Sequence, residues 1–224
     1  IERGRVPFAT QRPIDPNTGE RGDILVDFDG LVYTIGVIGI NEMVKHHTGF
    51  GIHEDPKSWR LAVWIMMEMK LYAQELSEKY GITIALARTP AETTGQRFAV
   101  VDLLSDEWRE NAREVVQGDV ETAEKMVQST SDLPIYYTNG THIPPGAPVT
   151  IGERVKYEHI FFPIVDGGNI FHIWLPEERP DPRGLMEMAM HLCKTTQIGY
   201  FAFTRDLTIP LHQWTDYRTE EAGI

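Results

Sequence analysis

Cysteine is nearly absent: Cys193 is the single one in 224 residues. An internal disulfide and a multi-cysteine zinc site within one chain are therefore excluded. A lone thiol fits a reducing cytoplasm. Long apolar runs are missing too. No stretch reaches the roughly 18 residues that a membrane helix needs, and Gly, Asn or Glu interrupts the longest ones. Positive charge is scarce, with 21 Lys and Arg against 33 Asp and Glu, a net −12. A general nucleic-acid surface needs clustered Lys and Arg and is not expected, although one local phosphate site remains open. The start, Ile1-Glu2-Arg3-Gly4-Arg5, leads to Pro7 and Pro13 and not to an apolar signal segment. It carries no initial Met, so a processed or excised chain is expected. There is no internal repeat and no low-complexity tract.

What is present reads as a soluble globular protein, with 42% apolar and 24% charged residues. The length suits one sizeable core or a piece of a larger one. Residues 1–30, rich in Pro, Gly, Asp and Arg, form a loop-rich lead-in. Residues 31–40 (Leu31 to Ile40) are β-branched, aromatic and nearly all apolar, which predicts a strand buried on both faces. Gly36 and Gly39 equally fit a strand that gives way to a close-packed helix. Asp55-Pro56 opens a helix over about 57–80, with Leu61, Ile65, Met69, Tyr72 and Leu76 at helical spacing. Ala62, Met66 and Ala73 widen its apolar face, and Gly81 ends it.

A short strand at 82–87 and a helix from Thr93 to about Val101 follow. Helices are predicted from near Ser105 and near Asp119, and a strand from Leu133 to Thr138. Residues 157–164 and 169–175 look strand-like. Asp181-Pro182 starts a helix with Leu185, Met188, Ala189 and Leu192 on one face. Ile198 to Phe203 reads as a last strand. The alternation predicts an α/β protein with a largely parallel sheet.

Two segments invite chemistry. In residues 84–98 a buried strand ends and a helix begins within a few residues, at Thr89, Pro90, Ala91, Glu92, Thr93 and Thr94. A helix start offers free backbone N–H groups and a positive dipole end to phosphate oxygens. Thr93 and Thr94 add hydroxyl donors. The plainer alternative is an ordinary cap, with Thr89 before Pro90 and Glu92 in the first turn. In the second segment Tyr136 and Tyr137 run into the polar turn Thr138-Asn139-Gly140-Thr141-His142. Loops after parallel strands often carry function; core aromatics and a simple turn are the alternative. His46, His47 and His53, beside Glu54 and Asp55, lack a metal-ligand spacing. Cys193 follows the stripe of the 183–196 helix and reads as a buried, inert thiol.

Taken in order, three blocks resemble the catalytic subunit of anaerobic (class III) ribonucleotide reductases. They are Tyr33-Thr34-Ile35-Gly36-Val37-Ile38-Gly39-Ile40-Asn41-Glu42, then Thr89 to Phe98 with Asp102, then Tyr136 to His142 with Gly167 to Phe171 and Gln197 to Thr204. The resemblance implies an α/β fold, part of a ten-stranded barrel of the reductase and glycyl-radical type, with its later half at 31–209. It implies that Thr89, Pro90, Ala91, Glu92, Thr93 and Thr94 hold substrate phosphates, mostly through backbone N–H groups. It makes Tyr136, Tyr137 and Asn139 barrel-lining candidates.

The family enzyme uses a glycyl radical made by an S-adenosylmethionine iron-sulfur activase, a structural zinc, and ATP or dNTP effectors. The family's substrate-activating cysteine and regulatory ATP domain find no match here, and none of these cofactors is expected in this chain. In the divergent tail, 210–224, Pro210 and Gln213 stand about where a zinc cysteine pair would be. Gly223 lacks the context of the radical loop. The expectation is a cytoplasmic portion of a reductase. It would be inactive in isolation, bind no zinc, contact no membrane or nucleic acid, and work with companion reductase segments, an activase or a second copy. A degenerate nucleotide-binding module and a structural, barrel-completing domain are the alternatives.

Overall fold

The computed structural model describes residues 12–22, 30–88, 91–126, 133–175 and 180–204. Their elements are β1 (Val32–Val37), α1 (Ile40–Thr48), α2 (Pro56–Tyr80), β2 (Thr83–Arg88), α3 (Glu92–Leu104), α4 (Arg109–Val115) and β3 (Gln117–Gly118). Next come α5 (Val120–Met126), β4 (Ile135–Tyr136), α6 (Ile151–Glu158), a 3-10 turn (His159–Phe161), β5 (Phe171–Trp174), α7 (Pro182–Thr195) and β6 (Phe201–Thr204). β1 pairs parallel with β2, and β5 parallel with β6. β3 and β4 form a two-residue antiparallel pair. The result is a mixed α/β arrangement. Among the described residues the strands make three two-stranded sheets, so the expected ten-stranded barrel is not seen in them.

Local chemistry explains the boundaries. Gly39 turns the chain from β1 into α1 with φ 77°, a conformation that a side chain would strain. Pro56 occupies the first turn of α2, and Gly81 closes it at φ 64°. Asp181 caps α7 by accepting from the N–H groups of Arg183 and Gly184.

One core joins α1, α2, β2 and the 3-10 turn through Val44, Ile52, Ala62, Met66, Leu86 and Phe161. A second packs Ala99, Leu103, Ala112, Leu133 and Ile135. A third packs Phe171 and Ile173 of β5 against Leu192 and Ile198.

Five expectations change. β1 is not buried on both faces: Val32 and Tyr33 are exposed, because β2 is its only strand partner among the described residues. On α2 the buried stripe is Ser58, Ala62, Met66 and Ala73, while Tyr72 faces outward. Small residues allow the close approach that the larger ones forbid. Residues 157–161 are helical and 162–164 form a turn, not a strand, because the capping box of Thr150 and Glu153 nucleates α6 just upstream. Cys193 is exposed and not buried; it sits one residue past Leu192, about 100° around the helix from the buried contact. The helix expected near Ser105 begins at Arg109, after a turn in which the Ser105 hydroxyl accepts from the N–H groups of Glu107 and Trp108. No described helix is long and apolar enough to cross a membrane.

Candidate functional site

A cleft of about 630 Å³ opens where β2 ends and the segment after β4 passes. Its wall includes Arg88 from β2, Thr93 from the first turn of α3, and the run from Tyr136 to Asn139. The cap residue of α3 is Ala91, and no side chain caps it. The first-turn N–H groups have no acceptor within the helix. Among the described residues of the 89–94 turn, Thr93 reaches the cleft wall. Thr94 and Ala91 are not in that wall. Thr89 and Pro90 lie outside the described residues, as does the side chain of Glu92.

Close backbone contact fixes α3 beside this cleft. The Tyr137 N–H donates to the Gly95 carbonyl at 3.1 Å. A Cβ on Gly95 would stand 2.6 Å from the Tyr137 carbonyl oxygen, so only glycine fits. The Gln96 amide also donates to the Leu133 carbonyl at 2.7 Å. Arg88 reaches the Ile170 carbonyl, which ties β2 to the approach to β5.

Tyr136, Tyr137 and Asn139, the barrel-lining candidates, all line this cleft. The Tyr137 hydroxyl donates to Asp102 Oδ2 at 2.8 Å. Burial, then the bond to Asp102 and its charge, push the Tyr137 phenol well above its ordinary pKa. Burial, followed by the charge of Glu42, raises that of Tyr136. Both shifts favour the protonated phenol, and that of Tyr137 serves as a donor.

Sequence reasoning assigned no role to a buried ionic cluster on the same wall. Glu158, 1% exposed, accepts from the Ile143 N–H at 3.0 Å and from Arg154 at 3.3 Å. Its other carboxylate oxygen meets His142 Nδ1. Arg154 also donates to the carbonyls of Ile143 (2.7 Å) and Pro144 (3.0 Å). Arg154 and Glu158 are one helical turn apart on α6, a spacing that signals the pair only once α6 is read as a helix.

A second cleft, of about 760 Å³, is lined in part by Glu42, His46, His47 and Asp102. Burial lowers the pKa of His53. Among the described residues no group of three or more His, Cys, Asp or Glu side chains is placed to hold a metal ion.

The family model for anaerobic ribonucleoside-triphosphate reductase matches residues 1–218. No curated protein matches the sequence. Solved structures do. One anaerobic ribonucleotide reductase is 20% identical with a TM-score of 0.61, and the match covers 81% of this chain and 25% of that one. The Thermotoga maritima enzyme with glycerol in its active site is 20% identical with a TM-score of 0.57, covering 76% and 24%. The same enzyme with dATP in its specificity site is 22% identical with a TM-score of 0.55, covering 81% and 27%. At these identities the likeness is one of fold. The chain spans about a quarter of the length of these reductases. The match over residues 1–218 shows that this chain belongs to the anaerobic ribonucleoside-triphosphate reductase family.

Proposed function

We propose that this chain holds the phosphates of a ribonucleoside triphosphate and walls part of the catalytic barrel of a class III reductase. The observation that carries the reading is one shared cleft. Thr93 at the start of α3, Arg88 at the end of β2, and Tyr136, Tyr137 and Asn139 all face it. A helix start supplies N–H donors and a positive dipole end, and Arg88 adds a full charge. In the proposed assembly the phosphates rest on Ala91, Glu92, Thr93 and Thr94, with Thr89 and Pro90 shaping the turn. The cleft volume suits a nucleotide-sized ligand.

The reaction proposed for the whole assembly is radical reduction of ribonucleotides to deoxyribonucleotides in the cytoplasm. Companion segments, an activase or a second copy would complete it. Those segments would also supply the glycyl radical and respond to ATP or dNTP effectors. A structural zinc does not fit the donors available here: there is one cysteine, and the described residues hold no ligand cluster. No step is assigned to it in this chain.

Triphosphate binding to the full 224-residue chain tests the reading, with circular dichroism as the folding control. Thr93→Val keeps the shape and removes the hydroxyl. Affinity should fall about fivefold, the worth of one net hydrogen bond. Ala91→Asp should weaken binding further, by placing a negative charge beside the phosphates. Unchanged affinity in both variants would reduce the turn to a plain helix start.

A further inference from the structure

His142 stands apart from the phosphate-binding turn yet lines the same cleft. It is only 8% exposed. Its Nδ1 edge is engaged by Glu158, while its Nε2 is buried and has no hydrogen-bond partner among the described residues. A buried polar atom left unpaired costs stability, and its persistence calls for a ligand or a catalytic duty. The carboxylate at Nδ1 assigns the tautomer: Nδ1 carries the proton and donates it, so in the neutral ring Nε2 presents a lone pair. Arg154 pairs with Glu158 and clamps the carbonyls of Ile143 and Pro144, so α6 holds the ring and the segment that follows it.

We propose that His142 Nε2 accepts a hydrogen bond from a sugar hydroxyl of the nucleotide, with Glu158 and Arg154 as positioning residues. The inference rests on the phosphate-site reading above. A triphosphate anchored at Thr93 brings its sugar into the cleft that His142 shares. An acceptor is what a hydroxyl needs and what a phosphate oxygen does not, which separates this group from the donors of the turn. A group that has lost water and gained only a hydroxyl partner discriminates strongly against analogues lacking that hydroxyl.

The test measures binding of ribonucleoside triphosphates, their 2′-deoxy and 3′-deoxy counterparts, and inorganic tripolyphosphate to the full chain. The wild-type protein should bind the ribonucleotide at least about fivefold tighter than one of the two deoxy analogues. His142→Phe should erase that gap and leave tripolyphosphate affinity unchanged. Glu158→Gln should narrow the gap, because the ring loses its anchor.

A readout on the unaltered protein guards against misfolded variants. The ¹⁵N resonance of His142 Nε2 should shift with the ribonucleotide and not with tripolyphosphate. Equal affinity for all three nucleotides, or an unmoved resonance, would overturn the sugar contact while leaving the phosphate site standing. So would a His142→Phe loss that is as large for tripolyphosphate. Failure of every triphosphate to bind would sink both readings together.

Discussion

Glu42→Gln probes what holds the cleft wall in place. Glu42 is 3% exposed and its carboxylate takes four donors. Oε1 accepts from Asn41 Nδ2 (2.9 Å), Gln117 Nε2 (3.0 Å) and the Thr138 hydroxyl (2.7 Å). Oε2 accepts from the Thr138 N–H at 3.0 Å. These bonds pin the β1–α1 junction to the strand end that leads to Asn139. Two backbone bonds reinforce the joint, Gly39 N–H to the Thr138 carbonyl (2.8 Å) and Ile40 N–H to the Gly140 carbonyl (3.3 Å). Glutamine has the same shape but only one oxygen. Its least harmful orientation keeps that oxygen at the three-donor position, so its NH₂ faces the Thr138 N–H.

That residue is 2% exposed, so water cannot repair the clash. Losing one charge-assisted bond and stranding a buried donor should cost about 3 kcal/mol. In a chain of this size that is a fall of about 6–12 °C in Tm. Urea unfolding followed by tryptophan fluorescence measures it. Thr138→Val, which removes only the hydroxyl, should couple to Glu42→Gln by about 1 kcal/mol or more in a double-mutant cycle. A loss below about 1 kcal/mol with additive single effects would refute the argument that this carboxylate holds the joint.

Three further outcomes follow from the packing. Gly95→Ala should destabilise by about 1–3 kcal/mol despite alanine's better helix propensity, because its Cβ meets the Tyr137 carbonyl; a neutral or stabilising change in thermal melts would contradict that contact. The exposed Cys193 should react with a thiol reagent in the native state at nearly the rate seen in denaturant, and protection from the reagent would contradict its placement. Bonds from Thr150 hold the Glu153 carboxyl below its ordinary pKa, so its contribution is present above the unfolded value and is lost as pH falls through the folded one. Thr150→Ala removes the hydroxyl bond and keeps the larger one from the Thr150 N–H, so NMR titration should show the Glu153 pKa rising only part of the way and the acid-side loss shrinking without vanishing.

The order of the main elements was legible because it rests on local chemistry. Asp55-Pro56 and Gly81 bracket α2, Asp181-Pro182 opens α7, and the apolar run 82–87 closes as β2 at Arg88. Thr93 of α3 and the run from Tyr136 to Asn139, both singled out in the sequence, line one cleft. Local signals failed where the competing information was not local. Residues 157–164 carry strand-forming side chains, yet Tyr157 and Phe161 pack as helix and turn because α2 covers them and Thr150 starts the helix upstream. Cys193 continues an apolar stripe whose burial ends at Leu192.

The pairing of His142 with Glu158 joins residues 16 apart, and the Glu42 joint spans 96. Periodicity carries no information at such separations. By itself the sequence determined the family and the caps of α2 and α7. Only the tertiary structure decided which residues of α2 are buried, which carboxylates face which donors, and that His142 Nε2 at the cleft has no partner among the described residues. Those outcomes depend on which distant backbone closes over each side chain and shuts out water.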